Sequence, residues 1–186
     1  MSESIDTVAI PGYLAGTWTA DPIHSEIGFA VRHLVSKTRG KFTGFEATIT
    51  TGENPLESSV SATIDMASIE TGFEARDTHL RSAEYFDVEN HPKMTYRSTG
   101  VQLAVDEWLV DGELTLHGVT RPVPLVMTVN GFGPDPFGGY RAGFTATAQL
   151  SRREFGIDLT VPLDGGGVVV GDKVWITLEI EAVRQA

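Results

Sequence analysis

The chain contains no cysteine. That absence excludes a disulfide scaffold, a cysteine-type zinc site and a thiol nucleophile, and it fits a reducing compartment. No stretch approaches the roughly 18 apolar residues that a membrane-spanning helix needs. The first lysine or arginine is Arg32, so the N-terminus lacks the basic start of a secretory signal peptide. Together these absences predict a cytoplasmic protein without stable membrane insertion.

Positive charge is also scarce. The chain has 14 lysine and arginine residues against 25 aspartate and glutamate residues, a formal net charge of -11. A surface of that sign repels phosphate backbones, so no nucleic-acid binding is expected. It also disfavours electrostatic attachment of the whole protein to an anionic membrane. The net charge says nothing about a lipid held inside the protein.

Recognisable catalytic signatures are missing. No two of the five histidines have the H-E-x-x-H spacing of a zinc protease, and no serine lies in a G-x-S-x-G turn. The sequence therefore predicts no metal site, no catalytic set of residues and no resident cofactor. An enzyme whose histidines act as acid or base on a small hydrophobic substrate stays open as an alternative.

Apolar and polar residues alternate along much of the chain. In residues 26–34, for example, Ile27, Phe29, Val31 and His33 share one face, and similar patterns recur to the end of the chain. Period two is typical of half-buried antiparallel strands. We predict an all-β protein of about eight strands, a sandwich or an up-and-down barrel. Residues 1–16 are expected to form a flexible arm, and residues 17–186 a single domain.

One stretch breaks that alternation, EARDTHLRSAEYFD at residues 74–87. Its apolar residues recur every three to four positions, which predicts a short helical insert around residues 72–84. Thr71 with Glu74 forms a plausible capping box at its start, and Asp77 with Arg81 has the spacing of a helical ion pair. A helix between two strands of a barrel could cover one of its open ends.

The insert concentrates Arg76, His79 and Arg81 in six positions of an acidic protein. These side chains could meet an anionic or polar head group of a ligand. They could equally form a solvated helix face that pairs with neighbouring acidic residues. Spacing alone favours the solvated face.

Several segments together resemble the YceI family of polyisoprenoid-binding, lipocalin-like proteins. They are WTADPIHSEIGFAVRHL (18–34), GKFTGFEATI (40–49), ARDTHLRSAEYFDVENHPKMTYRS (75–98), GELTLHGVTRPVPL (112–125) and RREFGI (152–157). The resemblance covers nearly the whole chain from Trp18. Their shared order along the chain makes the resemblance far more specific than any one motif.

This resemblance implies an elongated, lipocalin-like antiparallel β-barrel with a helix in the central insert. It also implies a long apolar tunnel for an isoprenoid lipid, such as a polyprenyl phosphate or an isoprenoid quinone, which the protein binds and sequesters or carries. Family members are often periplasmic and carry signal peptides, and this chain departs from them there. Tyr85 also stands where the family more often has phenylalanine.

From the inward faces and the resemblance together we predict a set of ligand-binding residues, with His79 and Arg81 facing polar groups. The set is Phe29, His33, Phe45, His79, Leu80, Arg81, Tyr85, Phe86, Tyr96, Phe144 and Ile176. An arginine of the insert could instead bond backbone carbonyls and never touch the ligand. A barrel filled with side chains, acting as an interaction protein, is a further alternative. Pairing of exposed strand edges would give a homodimer.

Overall fold

A computed structural model describes residues 9–158 and 169–186 of the chain. Within these ranges it contains twelve β-strands and one α-helix. The strands are β1 (Gly16–Ala20), β2 (Glu26–His33), β3 (Ser36–Phe42), β4 (Phe45–Thr51), β5 (Ser59–Asp65), β6 (Ile69–Glu70), β7 (Lys93–Ala104), β8 (Glu107–Leu116), β9 (Val119–Pro122), β10 (Leu125–Pro134), β11 (Tyr140–Ser151) and β12 (Val170–Arg184), and the helix is α1 (Glu74–Arg81).

Eight of these strands close into an antiparallel barrel in the order β1-β4-β5-β7-β8-β10-β11-β12. Pairing of β1 with β12, through Trp18 opposite Arg184, completes the ring. The all-β barrel predicted from the sequence is thereby confirmed. The 15 residues of β12 span about 50 Å at ~3.3 Å per residue, which makes the barrel elongated.

The remaining strands are continuations of barrel strands beyond a bend. β1 and β2 pair with successive parts of β12. On their other side, β4 pairs with β1 and β3 pairs with β2. A bend at residues 21–25 therefore divides one long strand into two segments. Bends of this kind let a sheet curl closed. This is why about eight strands were predicted and twelve segments are observed.

Alternation along the strands directs apolar side chains inward as predicted. Most of them form one large cluster, in which Met66, Ile69 and Phe155 are almost completely buried. A smaller cluster surrounds Trp18, whose indole Nε1 donates a hydrogen bond of 2.8 Å to Thr51 Oγ1. That bond satisfies the polar atom of a fully buried side chain.

The segment before β1 contacts the barrel. Tyr13 donates its hydroxyl to Gly52 O at 2.6 Å, and Tyr140 donates to Gly12 O at 2.6 Å. Residues 1–8 of the predicted arm lie outside the described residues. The flexibility of the arm stays a prediction.

Helix α1 is shorter than the predicted 72–84. Its N-cap is Phe73, which makes no capping hydrogen bond through its side chain, so the predicted capping box at Thr71 is wrong. Turns rather than helix follow from Ser82 to Phe86, with Tyr85 N bonded to Ser82 O at 3.1 Å. In the described part of the chain, no helix has the length and apolar character required to cross a membrane.

Candidate ligand-binding cavity

The barrel encloses a cavity of about 290 Å³. This is many times the ~10–15 Å³ that one water molecule requires. Aliphatic and aromatic side chains from strands β2, β4, β5, β7, β8, β10, β11 and β12 form most of its wall. The filled barrel considered from the sequence is therefore not what forms, and the interior can accept an apolar ligand.

A second, smaller cavity of about 120 Å³ lies next to the first. Phe144 and Ala146 border this smaller cavity, as does Tyr13 from the segment before β1. Five aliphatic residues border both cavities, and we call them the waist: Ile49, Val60, Leu125, Leu178 and Ile180. The waist is thus the wall that the two cavities share, so the cavities follow one another inside the barrel.

Polar side chains of the larger cavity are few. They include His33, Thr38, Thr71, Arg76, His79 and Arg152. His33 and His79 line the cavity and are also exposed to solvent, so the cavity opens between the end of β2 and helix α1. The larger cavity thus has an apolar interior and a polar opening.

Arg152 is a buried cation in this wall, only 5% exposed. Its guanidinium donates to three neutral carbonyls, Gly171 O at 2.9 Å, Ile157 O at 2.9 Å and Val170 O at 3.1 Å. Three of its five N–H donors are used in this way. Because carbonyls carry no formal charge, these bonds fix the side chain without neutralising it.

The charge of Arg152 acts on one described carboxyl group, that of Asp172. Burial acts to raise the pKa of Asp172, but hydrogen bonds from Ser151 and the Arg153 backbone, with the charges of Arg153 and Arg152, outweigh burial and lower it. Ser151 Oγ donates to Asp172 Oδ2 at 2.6 Å. Asp172 is therefore ionised at neutral pH and already hydrogen-bonded.

The insert is joined to β6 through Thr71. The buried carboxylate of Asp77 accepts from Thr71 N at 3.0 Å and also from the Thr71 hydroxyl. Arg76 donates from Nε to Thr71 Oγ1 at 2.7 Å and from Nη2 to Thr71 O at 2.8 Å. Asp77 thus binds the chain before the helix, and the predicted Asp77–Arg81 pair is wrong.

Arg81 holds the other side of the insert. It donates from Nε to Ala67 O at 3.0 Å and from Nη2 to Ile69 O at 3.1 Å, with Glu74 at 3.5 Å. These bonds place its guanidinium on the chain between β5 and β6. This is the structural role that the sequence left open as an alternative, and Arg81 borders neither the larger nor the smaller cavity.

His79 stands at the opening with a carboxylate partner. Its Nε2 lies 2.6 Å from Glu84 Oε2, and its ring meets Tyr85 edge to face with centroids 5.0 Å apart. Tyr85, Phe86 and Leu80 turn inward from the insert and line the cavity. The insert therefore contributes apolar wall and polar rim together.

Tyr96 lies in the opposite wall beside Gly112. A Cβ at Gly112 would overlap the Tyr96 hydroxyl, so only glycine leaves room for this ring. The hydroxyl donates to Val123 O at 2.9 Å. Burial, with the charge of Asp111, raises the pKa of Tyr96 to about 12. Tyr96 is therefore a neutral phenol at physiological pH, compatible with an apolar ligand.

Most of the predicted ligand-binding residues border a cavity. Those of the larger cavity are Phe29, His33, His79, Leu80, Tyr85, Phe86, Tyr96 and Ile176. Phe144 borders the smaller cavity, whereas Phe45 packs against the main core cluster and Arg81 bonds the chain. Sequence reasoning missed Arg152, although it lies in the RREFGI segment already compared with the family. Arg152 is a charged residue that follows an apolar strand, and nothing in that pattern indicates that its side chain points inward.

A second polar cluster lies away from both cavities. One ligand atom each from Asp21, His24 and Glu181 lies within 4.8 Å of the other two, the spacing of a metal site. Arg141 already supplies the positive charge there, with Nη1 at 2.9 Å from Asp21 Oδ2 and 2.8 Å from Glu181 Oε2. The arginine occupies the space between the carboxylates, so the cluster is a salt-bridge network.

The sequence of the chain is similar to those of known proteins. The sequence profile of the YceI-like domain matches residues 18–182. The chain is 42% identical to the protein YceI of Salmonella arizonae over 164 residues, which cover 87% of this chain and 83% of that protein.

Solved structures agree in architecture. BcnA of Burkholderia cenocepacia superposes with a TM-score of 0.76 at 22% identity, covering 87% of this chain and 98% of that chain. A polyisoprenoid-binding domain from Saccharophagus degradans, implicated in plant cell wall breakdown, superposes with a TM-score of 0.70 at 16% identity, covering 92% and 100%. At these identities the likeness concerns the fold.

Proposed function

The chain belongs to the family of YceI-like domains, and on that basis we propose that it binds a long apolar isoprenoid lipid inside the barrel and sequesters or carries it. A structural neighbour described as a polyisoprenoid-binding domain supports a lipid-binding role. The ligand class, a polyprenyl phosphate or an isoprenoid quinone, is part of the proposal.

The apolar wall of the larger cavity is the observation that carries the proposal. Burial of a hydrocarbon chain contributes ~0.8 kcal/mol per methylene group. A few isoprene units would thus supply most of the affinity without a strong contact to the head group. The two cavities share the aliphatic side chains of the waist, so a long chain that displaces these side chains would extend from the larger cavity into the smaller one.

The polar opening suits the head group. His33 and His79 would accompany it at the solvent side, and Arg76 and Arg152 would supply positive charge from the wall. Arg152 is held by neutral carbonyls, so an anionic group near it would gain a charge-assisted hydrogen bond. A quinone carbonyl could accept a hydrogen bond from the same donors, with a smaller gain in binding free energy because it carries no charge.

The first test is mass spectrometry of the organic extract of the protein, purified gently without detergent. We expect a stoichiometric isoprenoid whose head group identifies the ligand. An extract without lipid, combined with no uptake of added polyprenyl phosphate or isoprenoid quinone, would contradict the proposal. An isoprenoid that is returned chemically altered would favour the enzyme alternative.

A pair of tryptophan variants locates the ligand. Ala62 lines the larger cavity, whereas its neighbour Thr63 is exposed on the outer face of β5. We expect Ala62→Trp to weaken isoprenoid binding by about tenfold or more, because displacing two buried methylenes forfeits ~1.6 kcal/mol. The matched control Thr63→Trp should bind as the wild type does. Equal binding by both folded variants would exclude the larger cavity.

A further inference from the structure

The positive charge of this acidic protein is unevenly distributed. Residues 27–45 contain no aspartate or glutamate, and they include Arg32, Lys37, Arg39 and Lys41. All four side chains are exposed. A net charge of -11 therefore conceals a local surface of the opposite sign.

Strand register places these cations on one outer face. Arg32 is opposite Lys37, and Arg39 is opposite Ala30, which in turn pairs with Trp175 of β12. Lys37 Nζ lies 4.1 Å from the centre of the Trp175 ring, and Lys173 Nζ lies 5.9 Å from it. We call this surface the basic face, and it consists of Arg32, Lys37, Arg39, Lys41 and Lys173 around Trp175.

The basic face ends at an apolar hairpin tip. Leu34 and Val35 join β2 to β3, and Val35 is 96% exposed. Two-residue hairpin turns favour asparagine and glycine, particularly where φ is positive, yet Leu34 occupies such a position at φ 50°. Local turn geometry thus does not account for two large apolar residues in water.

The tip also adjoins the cavity opening. His33, the residue before Leu34, lines the larger cavity, and Leu34 N bonds Val169 O at 2.9 Å next to the lining residue Val170. The exposed apolar tip therefore lies at the entrance of a hydrocarbon-lined cavity, and the cations and Trp175 lie on the outer face of the strands that end there. Tryptophan beside lysine and arginine is typical of surfaces that rest in the head-group layer of a membrane.

We propose that the basic face and the Leu34–Val35 tip dock on the surface of an anionic lipid bilayer, with the cavity opening turned toward the lipid. This inference rests on the proposed function, because docking would let an isoprenoid pass between bilayer and cavity without crossing water. A nucleic acid or an acidic protein would also match the cations. Neither explains the exposed apolar tip.

The acidic remainder of the molecule does not prevent docking. Glu179, the first carboxylate of β12 after Lys173, lies six residues along the strand, about 20 Å away at ~3.3 Å per residue. Charges separated by more than the screening length of about 8 Å at physiological salt interact weakly. Glu70 lies opposite Lys41 in the register of β6 with β3, so one carboxylate stands at the edge of the basic face.

Flotation with vesicles tests the proposal. Vesicles of equal phosphatidylcholine and phosphatidylglycerol should bind the protein, and phosphatidylcholine alone should not. The double variant Lys37→Gln/Arg39→Gln should bind roughly 25-fold more weakly, at about fivefold per cation. The matched control Lys93→Gln/Arg97→Gln removes the same charge from β7, where the residues pair with Asp65 and Ser61, and should bind as the wild type does.

The tip is tested by a second matched pair. Val105 is also 96% exposed, but it lies in the β7–β8 turn next to Asp106. Val35→Ser should weaken vesicle binding by about tenfold, because one valine side chain no longer enters the apolar layer. Val105→Ser should have no effect.

Three results would overturn the proposal: no preference for anionic vesicles, equal losses in the matched pairs, or capture of soluble polyglutamate without vesicle binding. The last would assign the face to an acidic protein. Uptake of a dispersed isoprenoid alcohol in the absence of vesicles separates the two proposals. If uptake persists and vesicle binding fails, only the docking is wrong; if vesicles bind and no isoprenoid enters, the proposed function is wrong.

Discussion

Two arginines near opposite ends of β11 make the same number of hydrogen bonds with opposite consequences. Arg141 donates to three carboxylates, those of Asp21, Glu181 and Asp135, at 2.8–2.9 Å. Arg152 donates to three backbone carbonyls at 2.9–3.1 Å. Ten residues of strand, about 33 Å, separate Arg141 from the end of β11.

The difference lies in the charge that remains. Hydrogen bonds to Asp21 and Asp135 raise the pKa of Arg141 above its ordinary value. The pKa of Asp21 is lowered mainly by the hydrogen bond from His24 and then by that from Arg141, and the pKa of Asp135 mainly by the Gly139 backbone N–H and then by Arg141. Arg141 is thereby neutralised and stabilises the end of the barrel that lies away from the cavity opening. Among the described residues Arg152 is hydrogen-bonded to neutral carbonyls, and its charge also acts on the carboxyl group of Asp172, so we expect its guanidinium to stay able to bind an anionic ligand in the cavity wall.

The largest effect is expected from removal of the buried guanidinium. Arg152→Met should lower the free energy of unfolding by about 3 kcal/mol or more, because three buried carbonyls each lose a donor at ~1 kcal/mol or more. Arg153→Met is the control, since that side chain is 47% exposed and pairs with Asp158 at the surface. Urea denaturation measures both, and equal small losses would contradict the structural role of Arg152.

The next effect concerns ligand charge. Arg76 lines the cavity, so Arg76→Gln should weaken binding of a polyprenyl phosphate by roughly tenfold, the value of one charge-assisted hydrogen bond. Binding of the uncharged polyprenol should change little. Arg141→Gln should alter neither ligand. A titration with both lipids measures this selectivity, and an equal loss for both would remove Arg76 from the head-group site.

A smaller effect is expected at the insert. Arg81→Gln should reduce stability by about 1 kcal/mol, because two backbone carbonyls lose a charged donor at a half-buried site. Isoprenoid binding by the folded variant should stay close to wild type. A specific loss of polyprenyl phosphate binding would instead support the head-group role predicted from the sequence.

The smallest effect is a change in acid stability. The pKa values of Asp21 and Asp135 are lowered from 3.8 in the folded state, so the unfolded chain binds more protons than the native protein below about pH 4. Wild-type stability should therefore fall as the pH drops through this range. In Arg141→Gln the two carboxyl pKa values should rise part of the way toward 3.8, because the hydrogen bonds from His24 and the Gly139 backbone remain, and the melting temperature should depend somewhat less steeply on pH. Identical slopes would show that Arg141 does not set these pKa values.

Much of the interior was predictable because alternation has a strict period. Phe29, Tyr96 and Ile176 line the cavity as their strand faces indicate. Phe45 shares the predicted face but packs into the core, since the amount of free volume depends on neighbouring strands and not on the face alone. The cytoplasmic location and the homodimer stay predictions.

Capping of the insert was not predictable for a different reason. Thr71 and Glu74 fit a capping box in sequence, yet Thr71 bonds Asp77 and Arg76 instead. Pairing of β6 with β3 sets the path on which the chain enters the helix, and that pairing joins residues almost thirty positions apart.

The sequence by itself determined the class of fold, the inward faces and the family, because each depends on periods and motifs that are local to the chain. Tertiary structure alone decided which charges are neutralised and which stay available. Arg141 bonds Asp21, 120 residues away along the chain, and Arg152 bonds the carbonyls of Ile157 and Gly171, which lie 5 and 19 residues away. Barrel closure brings such partners together, and electrostatic neutralisation depends on distance in space rather than on position in the sequence.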